Sequence, residues 1–276
     1  PTCLSADRNG YGVAVTAAEQ WAAELRAWAI DQRILDAAED DPYDFPPSLF
    51  APEPPSEHEP SHLHEAVRAA LPPDGSVLDV GAGAGAASLP AMRAGTTLHA
   101  VDQQAGMLRA LEASAAEAGI LATTYEGRWP DLAADVPVAD VAVCGHVFYN
   151  VADLVPFVHA LTDRSRGLVA VELTGAHPWV RLAPMWQEVH DQTRPEGPTV
   201  ELALEVLAEA GLSPRVHERM RAPAVRTGEL LETWVDLTRR QLCLPRERAE
   251  EVRQLMARHP PRPRRLVTVT WAGSGR

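Results

Sequence analysis

Asp79-Val80-Gly81-Ala82-Gly83-Ala84-Gly85 is the stretch of this sequence whose residue types and spacing point most directly to chemistry. Three alternate glycines follow a short apolar run and a carboxylate. They bare the backbone, so a ligand can approach main-chain N–H groups, and a helix expected from Ala86 would add the positive potential of its N-terminus. Gly81, Gly83 and Ala86 fit the G-x-G-x-x-A spacing of dinucleotide sites, with Asp102 at the distance of a ribose-binding acid. Asp79 argues for a different ligand. A carboxylate there is a poor neighbour for a pyrophosphate and suits a cationic amino-acid head group. A tight strand–helix turn without a ligand is the third reading.

The elements that must position this loop follow from the hydrophobic pattern. Apolar runs predict strands at 77–80, 97–101, 120–125, 139–144, 167–173, 214–220 and 265–271. Helical patterns are predicted at 61–71, 86–93, 105–118, 151–162, 183–190, 199–210, 227–242 and 245–258, with Pro156 delaying the start of its helix. This alternation predicts an α/β fold with a parallel sheet covered on both faces. Ahead of it, Thr16-Ala17-Ala18-Glu19 is a capping-box pattern that starts a helix reaching about residue 38, with Trp21, Leu25 and Trp28 on one face. Seven prolines in 41–60 exclude helix and central strand there, while Tyr43, Phe45, Leu49 and Phe50 are spaced as anchors for an extended segment. The expected organisation is an N-terminal helical and proline-rich cap, 1–60, a main domain, 61–276, and a helical insertion at about 227–258. Residues 1–15 are expected to form a loose arm.

Composition bounds the partners. The chain has 276 residues and a net charge of −13, and all 25 basic residues are Arg. That balance argues against nucleic acid, which needs clustered cations. The exception, Arg258-His259-Pro260-Pro261-Arg262-Pro263-Arg264-Arg265, reads as a solvated loop or a polyanion contact. No apolar run approaches the roughly 20 residues of a membrane span, and Pro1 to Tyr11 lacks a secretory pattern. Cys3, Cys144 and Cys243 form no disulfide or metal pattern, and His58, His62 and His64 lack a ligand partner at a recognised spacing, so no metal is expected. A cytoplasmic protein is the expectation.

D-x-G-x-G-x-G followed by a strand ending in an acid resembles the first motif of the class I S-adenosylmethionine (SAM) methyltransferases, over roughly residues 61–271. Together with His146-Val147-Phe148-Tyr149-Asn150-Val151, Val171-Glu172-Leu173-Thr174 and His177-Pro178, it resembles an actinobacterial group of these enzymes. The resemblance implies a Rossmann-like sheet of seven strands with the last antiparallel. It implies SAM as cofactor and S-adenosylhomocysteine (SAH) as product. Asp79 would meet the SAM amino group. Gly81, Ala82, Gly83 and Gly85 would face the methionine part and ribose, and Asp102 would accept from both ribose hydroxyls. Gln103 and Met107 would border the adenine. The family's usual acid after strand three is missing in Glu126-Gly127-Arg128-Trp129, so the Gly127–Arg128 backbone or stacking on Trp129 would replace it. Cys144, Gly145 and His146 would line the floor near the methyl group.

Methyl transfer from a sulfonium needs alignment of donor and acceptor first, and a base when the acceptor is a hydroxyl or acid. His146, delivered by strand four to the open end of the sheet, is the first candidate, with His177 and Tyr149 beside it. Glu172, inside a strand, needs a partner if buried. Trp179, Trp186 and His190 would shape an acceptor pocket or a helix core. The expected activity is methyl transfer to an O or N atom of a small molecule, with secondary metabolism as the setting. A SAM-binding protein without catalysis and a nicotinamide-dependent oxidoreductase are the alternatives.

Overall fold

The computed structural model describes residues 15–52 and 61–276. The arm 1–14, with Gly10 and Gly12, and the segment 53–60, with His58, lie outside them. In chain order the elements are α1 (Ala17–Arg26), α2 (Gln32–Ala37), α3 (His62–Ala70), β1 (Ser76–Val80), β2 (Thr97–Asp102), α4 (Ala105–Glu117), β3 (Leu121–Glu126) and β4 (Ala139–Gly145). They continue with α5 (Leu154–Asp163), β5 (Ser165–Thr174), α6 (Ala183–His190), α7 (Val200–Glu209), β6 (Arg215–Arg221), α8 (Gly228–Gln241), α9 (Ala249–Arg258) and β7 (Arg264–Ala272). The strands form one sheet in the order β3-β2-β1-β4-β5-β7-β6. β1 to β5 pair in parallel, and β7 runs antiparallel to both neighbours. This is the architecture the alternating pattern predicts.

Apolar residues at every second strand position fill both faces of the sheet. Leu78 and Val80, Ala142 and Cys144, and Val169, Val171 and Leu173 pack under α1, α5 and α7. Val77, Leu98, Ala100, Val141, Val143 and Ala170 pack under α3 and α4. A third apolar cluster gathers Trp28 and Ile30 with residues of α6, α8 and α9. The main sheet and this third cluster therefore share the N-terminal residues.

Two expected helices differ in a way that matters for the site. The helix predicted over 16–38 is two. Thr16 and Glu19 form the capping box of α1, and Trp21 donates to the Val151 carbonyl (2.8 Å) over the sheet. The chain then turns so that Trp28 and Ile30 reach the third cluster, and the Asp31 side chain caps α2 by accepting from the Arg33 N–H. The helix predicted over 86–93 is absent. A short 3-10 turn, Leu89–Ala91, stands in its place. Pro90 has no N–H to return to Ala86, and the Ala86 carbonyl accepts from His64 Nε2 of α3 instead (3.0 Å).

Candidate functional site

β1 ends inside the sheet, between β2 and β4, so its last residues open onto the C-terminal edge where parallel sheets bind ligands. Gly81 follows with φ of 68° and Gly83 with 52°. Both lie in the left-handed region where a side chain is strained. A Cβ on Gly81 would also collide with Val147 Cγ2. The loop is shaped by its own N–H groups. Those of Gly81 and Ala82 donate to the Val101 carbonyl (2.8 and 3.1 Å), and that of Gly85 donates to the Ala82 carbonyl (2.9 Å). The Gly83 N–H donates to Asp102 Oδ2 (2.8 Å). The expectation that the loop offers bare N–H groups and a helix N-terminus to a ligand is thus corrected. Most of its donors are used within the protein, and an α-helix does not start behind it.

What the loop leaves open is a carboxylate. Asp79 is fully buried. Neither of its oxygens meets a hydrogen-bond partner among the described residues, and the Ser88 hydroxyl is unpartnered as well. Burial pushes the Asp79 carboxyl up to about 7; the nearby Ser88 hydroxyl opposes the rise and Asp102 adds to it. Asp102 ends β2, half-buried, with Oδ1 accepting from the Gln104 N–H (2.9 Å). Each of its oxygens keeps a lone pair for a further donor.

Beside Asp102 lies a recess of about 470 Å³ lined by Tyr43, Phe45 and Pro47 and by Gln104, Gly106 and Met107. Gln103 is exposed and outside this lining; its neighbour Gln104 takes its place. The proline-rich segment forms the other wall. Phe50 sits over Gly83, its Cβ 3.6 Å from where a side chain would begin. Tyr43 stacks on Trp179, with centroids 5.3 Å apart. Asp40 holds Arg239 and Arg246 of the insertion (2.7 Å each), and Asp44 holds Arg240 (2.9 Å). The aromatic spacing of 43–50 marked anchors, but nothing in it showed that they would meet the loop.

On the other side of β1, His146 follows β4 with φ of 61°, its N–H on the Glu172 carbonyl (2.7 Å). Its Nε2 lies 3.4 Å from Glu172 Oε1, and the imidazole is the partner Glu172 needs. Burial works to raise the Glu172 carboxyl, but His146, then Arg219 and His64, outweigh it and hold it below its ordinary value. Gly145 lies against the loop, since a Cβ there would be 2.8 Å from Ala87 Cβ.

Other expected residues take structural positions. The Cys144 side chain is fully buried in the core, so it does not line a floor. Trp129 is buried too, its indole N–H donating to the Phe157 carbonyl (3.2 Å), so it does not offer a face to adenine. Gly127 donates to the Asp102 carbonyl (2.9 Å), tying the ends of β3 and β2, and Arg128 is exposed. The Tyr149 hydroxyl donates to the Thr174 carbonyl (2.6 Å), and its ring stacks on Trp21. Burial raises its pKa far above the ordinary phenol. It is not a base. His177 stacks on Trp28 at 4.1 Å. Burial lowers its pKa to about 4, Arg194 adding to the shift. Its Nδ1 accepts from the Trp179 N–H (3.2 Å), so the neutral ring carries its proton on Nε2 and is a donor rather than a base. In the basic cluster, Arg258 and His259 pair with Glu188 rather than facing a polyanion.

Residues 77–166 match the family described as a methyltransferase domain. No curated protein matches the chain at the level of sequence. Among solved structures, the YcgJ protein of Bacillus subtilis aligns with a TM-score of 0.50 at 13% identity, over 76% of this chain and 97% of its own. Magnesium protoporphyrin IX methyltransferase of Synechocystis PCC 6803, with bound SAH, aligns with a TM-score of 0.46 at 15% identity, over 73% of this chain and 75% of its own. At 13% identity the YcgJ structure speaks for the fold alone. No helix among the described residues is long and apolar enough to cross a membrane. The sheet order, the loop after β1 and the family match agree: residues 77–166 match a methyltransferase domain and lie in a seven-stranded Rossmann-like sheet with one strand antiparallel to its neighbours.

Proposed function

We propose that the chain transfers the methyl group of SAM to an oxygen or nitrogen atom of a small-molecule acceptor. The observation that carries this reading is Asp79, a fully buried carboxylate with two unpartnered oxygens at the entry to the glycine loop of a methyltransferase domain. A buried carboxylate without a partner is costly, and an ammonium group would relieve that cost. The same carboxylate would repel a pyrophosphate. The used N–H groups of the loop and the missing helix behind it further weaken the dinucleotide alternative.

The residues fit SAM as follows. Asp79 takes the ammonium, the free lone pairs of Asp102 take the ribose hydroxyls, and Tyr43, Gln104 and Met107 enclose the adenine. Bound SAM supplies a methyl group already activated on a sulfonium. The chain's own task is to align the acceptor and remove its proton. His146 is placed for the second part. Glu172 Oε1 faces Nε2 and orients the imidazole, which leaves Nδ1, buried and unpartnered among the described residues of the free protein, as the nitrogen that takes the acceptor's proton. With Tyr149 and His177 held in structural bonds, His146 is the base this reading retains from the three candidates.

Calorimetric titration with SAH and NADH tests the donor. SAH binding with none for NADH supports the proposal, and the reverse pattern sinks it. Transfer of labelled methyl from SAM into a host extract then separates an enzyme from a SAM-binding protein without catalysis. SAH binding with no labelled product would favour the latter.

A further inference from the structure

Arg181 and Arg226 both lie over the indole of Trp234, 5.4 and 3.8 Å from the ring centroid. Elsewhere in this acidic chain, guanidiniums are matched to carboxylates, as Arg239 is to Asp40 and Arg265 to Glu218. Arg181 and Arg226, among the described residues, are not. Among the described residues, Arg181 donates to the neutral Gln241 Oε1 (2.6 Å), and neither arginine has a carboxylate within ion-pair distance. Arg181 is exposed to solvent, yet the surrounding protein desolvates it and lowers its pKa to about 10, with repulsion from Arg226 and Arg264 adding to this. Arg226 is half-buried and shifted the same way, first by burial and then by Arg264. Both remain cationic at neutral pH. Placing the two charges of Arg181 and Arg226 over one indole is unfavourable for the free protein unless an anion joins them.

The topology puts these charges at the catalytic edge. Arg181 belongs to the 3-10 turn Pro178–Leu182, which follows the C-terminal end of β5. β7 runs antiparallel, with Leu266 opposite Thr174, so Arg264 at its start stands at that same edge. Arg221, at the end of β6, pairs with Arg264, and Arg226 follows shortly after. The ends of β1, β2 and β4, with Asp79, Asp102 and His146, open on this edge as well.

We propose that Arg181 and Arg226, braced by Trp234, bind a carboxylate group of the acceptor, so that the methylated substrate is an organic acid. The planar forks of two guanidiniums match a carboxylate in geometry and charge. The word acceptor rests on the methyltransferase reading, but the anion site does not.

Calorimetry at low salt with benzoate and with neutral benzamide as probes tests this, on the full chain with and without SAH. Benzoate should bind wild type, and benzamide at least about tenfold more weakly. Arg181→Gln and Arg226→Gln should each lower benzoate affinity about tenfold, the scale of one charged hydrogen bond, and leave SAH affinity unchanged. Arg226 lies in an irregular connection, so its variant keeps the test open if Arg181→Gln fails to fold. Benzoate that does not bind, or binds Arg226→Gln as tightly as wild type, overturns the site. Benzoate binding without SAH binding would support the anion site and sink the methyltransferase reading.

Discussion

The two halves of the proposed catalytic edge are built by different means. The donor half is made by backbone: positive φ at Gly81 and Gly83, N–H groups turned inward, and two carboxylates that end or precede a turn. The proposed acceptor half is made by side chains from distant parts of the sequence, such as Trp28 on His177 and Arg181 on Gln241. A backbone-built site tolerates little change at its glycines, whereas a side-chain-built one can change lining without changing fold. The first suits a fixed donor and the second a variable acceptor.

Substitutions can break or sharpen this contrast. The largest effect is expected from Gly81→Ala, which adds a strained φ and a collision with Val147, together about 3 kcal/mol. SAH affinity should fall about 100-fold in calorimetry, and an unchanged affinity would deny that the loop is backbone-determined. His146→Asn, chosen because Asn accepts a positive φ, should lower kcat about 100-fold and leave SAH affinity within about twofold. Equal losses in both would make His146 structural. Glu172→Gln should cost less, about tenfold in kcat, since it acts through the imidazole. Tyr43→Ala removes an aromatic wall of the donor recess and should weaken SAH about fivefold, an aromatic contact's scale, with kcat at saturation retained.

The smallest effect on turnover is expected from His177→Phe, which keeps a ring on Trp28. Its mark is on stability. The pKa of about 4 lies below the unfolded value near 6.5, so the unfolded chain binds more protons in that window. The contribution of His177 to stability is therefore lost as pH falls from about 6.5 toward 4, and in thermal melts the Phe variant should gain on wild type across that window. A turnover loss comparable to that of His146→Asn would return His177 to the reaction.

The contrast also explains what could be read in advance. The central strands were legible because each is a short apolar run between turn residues, whereas β6 is polar and exposed, and the capping box of α1 was legible because its signal is local. That Asp79, the glycines and Asp102 would lie together was legible because they sit on consecutive elements. The helix expected at 86–93 was not excluded by periodicity. Its loss depends on Pro90 and on His64 arriving from α3 to take the Ala86 carbonyl, a tertiary contact. Trp129 and Tyr149 carry chemistry by type, yet their burial against Phe157 and Trp21 is set by the fold. Arg181, Arg226 and Trp234 gave no signal at all, because a missing counter-charge is visible only in space.

The central claim is that Asp79 receives the ammonium of the donor. In the free protein its carboxyl sits near pKa 7, above the unfolded value of about 3.9, so it is largely protonated below neutrality. Fully present at low pH, the contribution of Asp79 to the stability of the free chain is lost as pH rises from about 4 through 7, because the unfolded state binds fewer protons there. An ammonium partner favours the ionised form, so binding releases a proton below about pH 7. The direct measurement is SAH affinity by calorimetry from about pH 5 to about pH 8, in wild type and in Asp79→Asn. The account predicts that wild-type affinity rises with pH and levels off near 7, with proton release on the rising limb. It predicts weaker binding without this dependence in Asp79→Asn. Wild-type affinity that is flat with pH, or an Asp79→Asn variant that binds SAH as tightly as wild type, would contradict it.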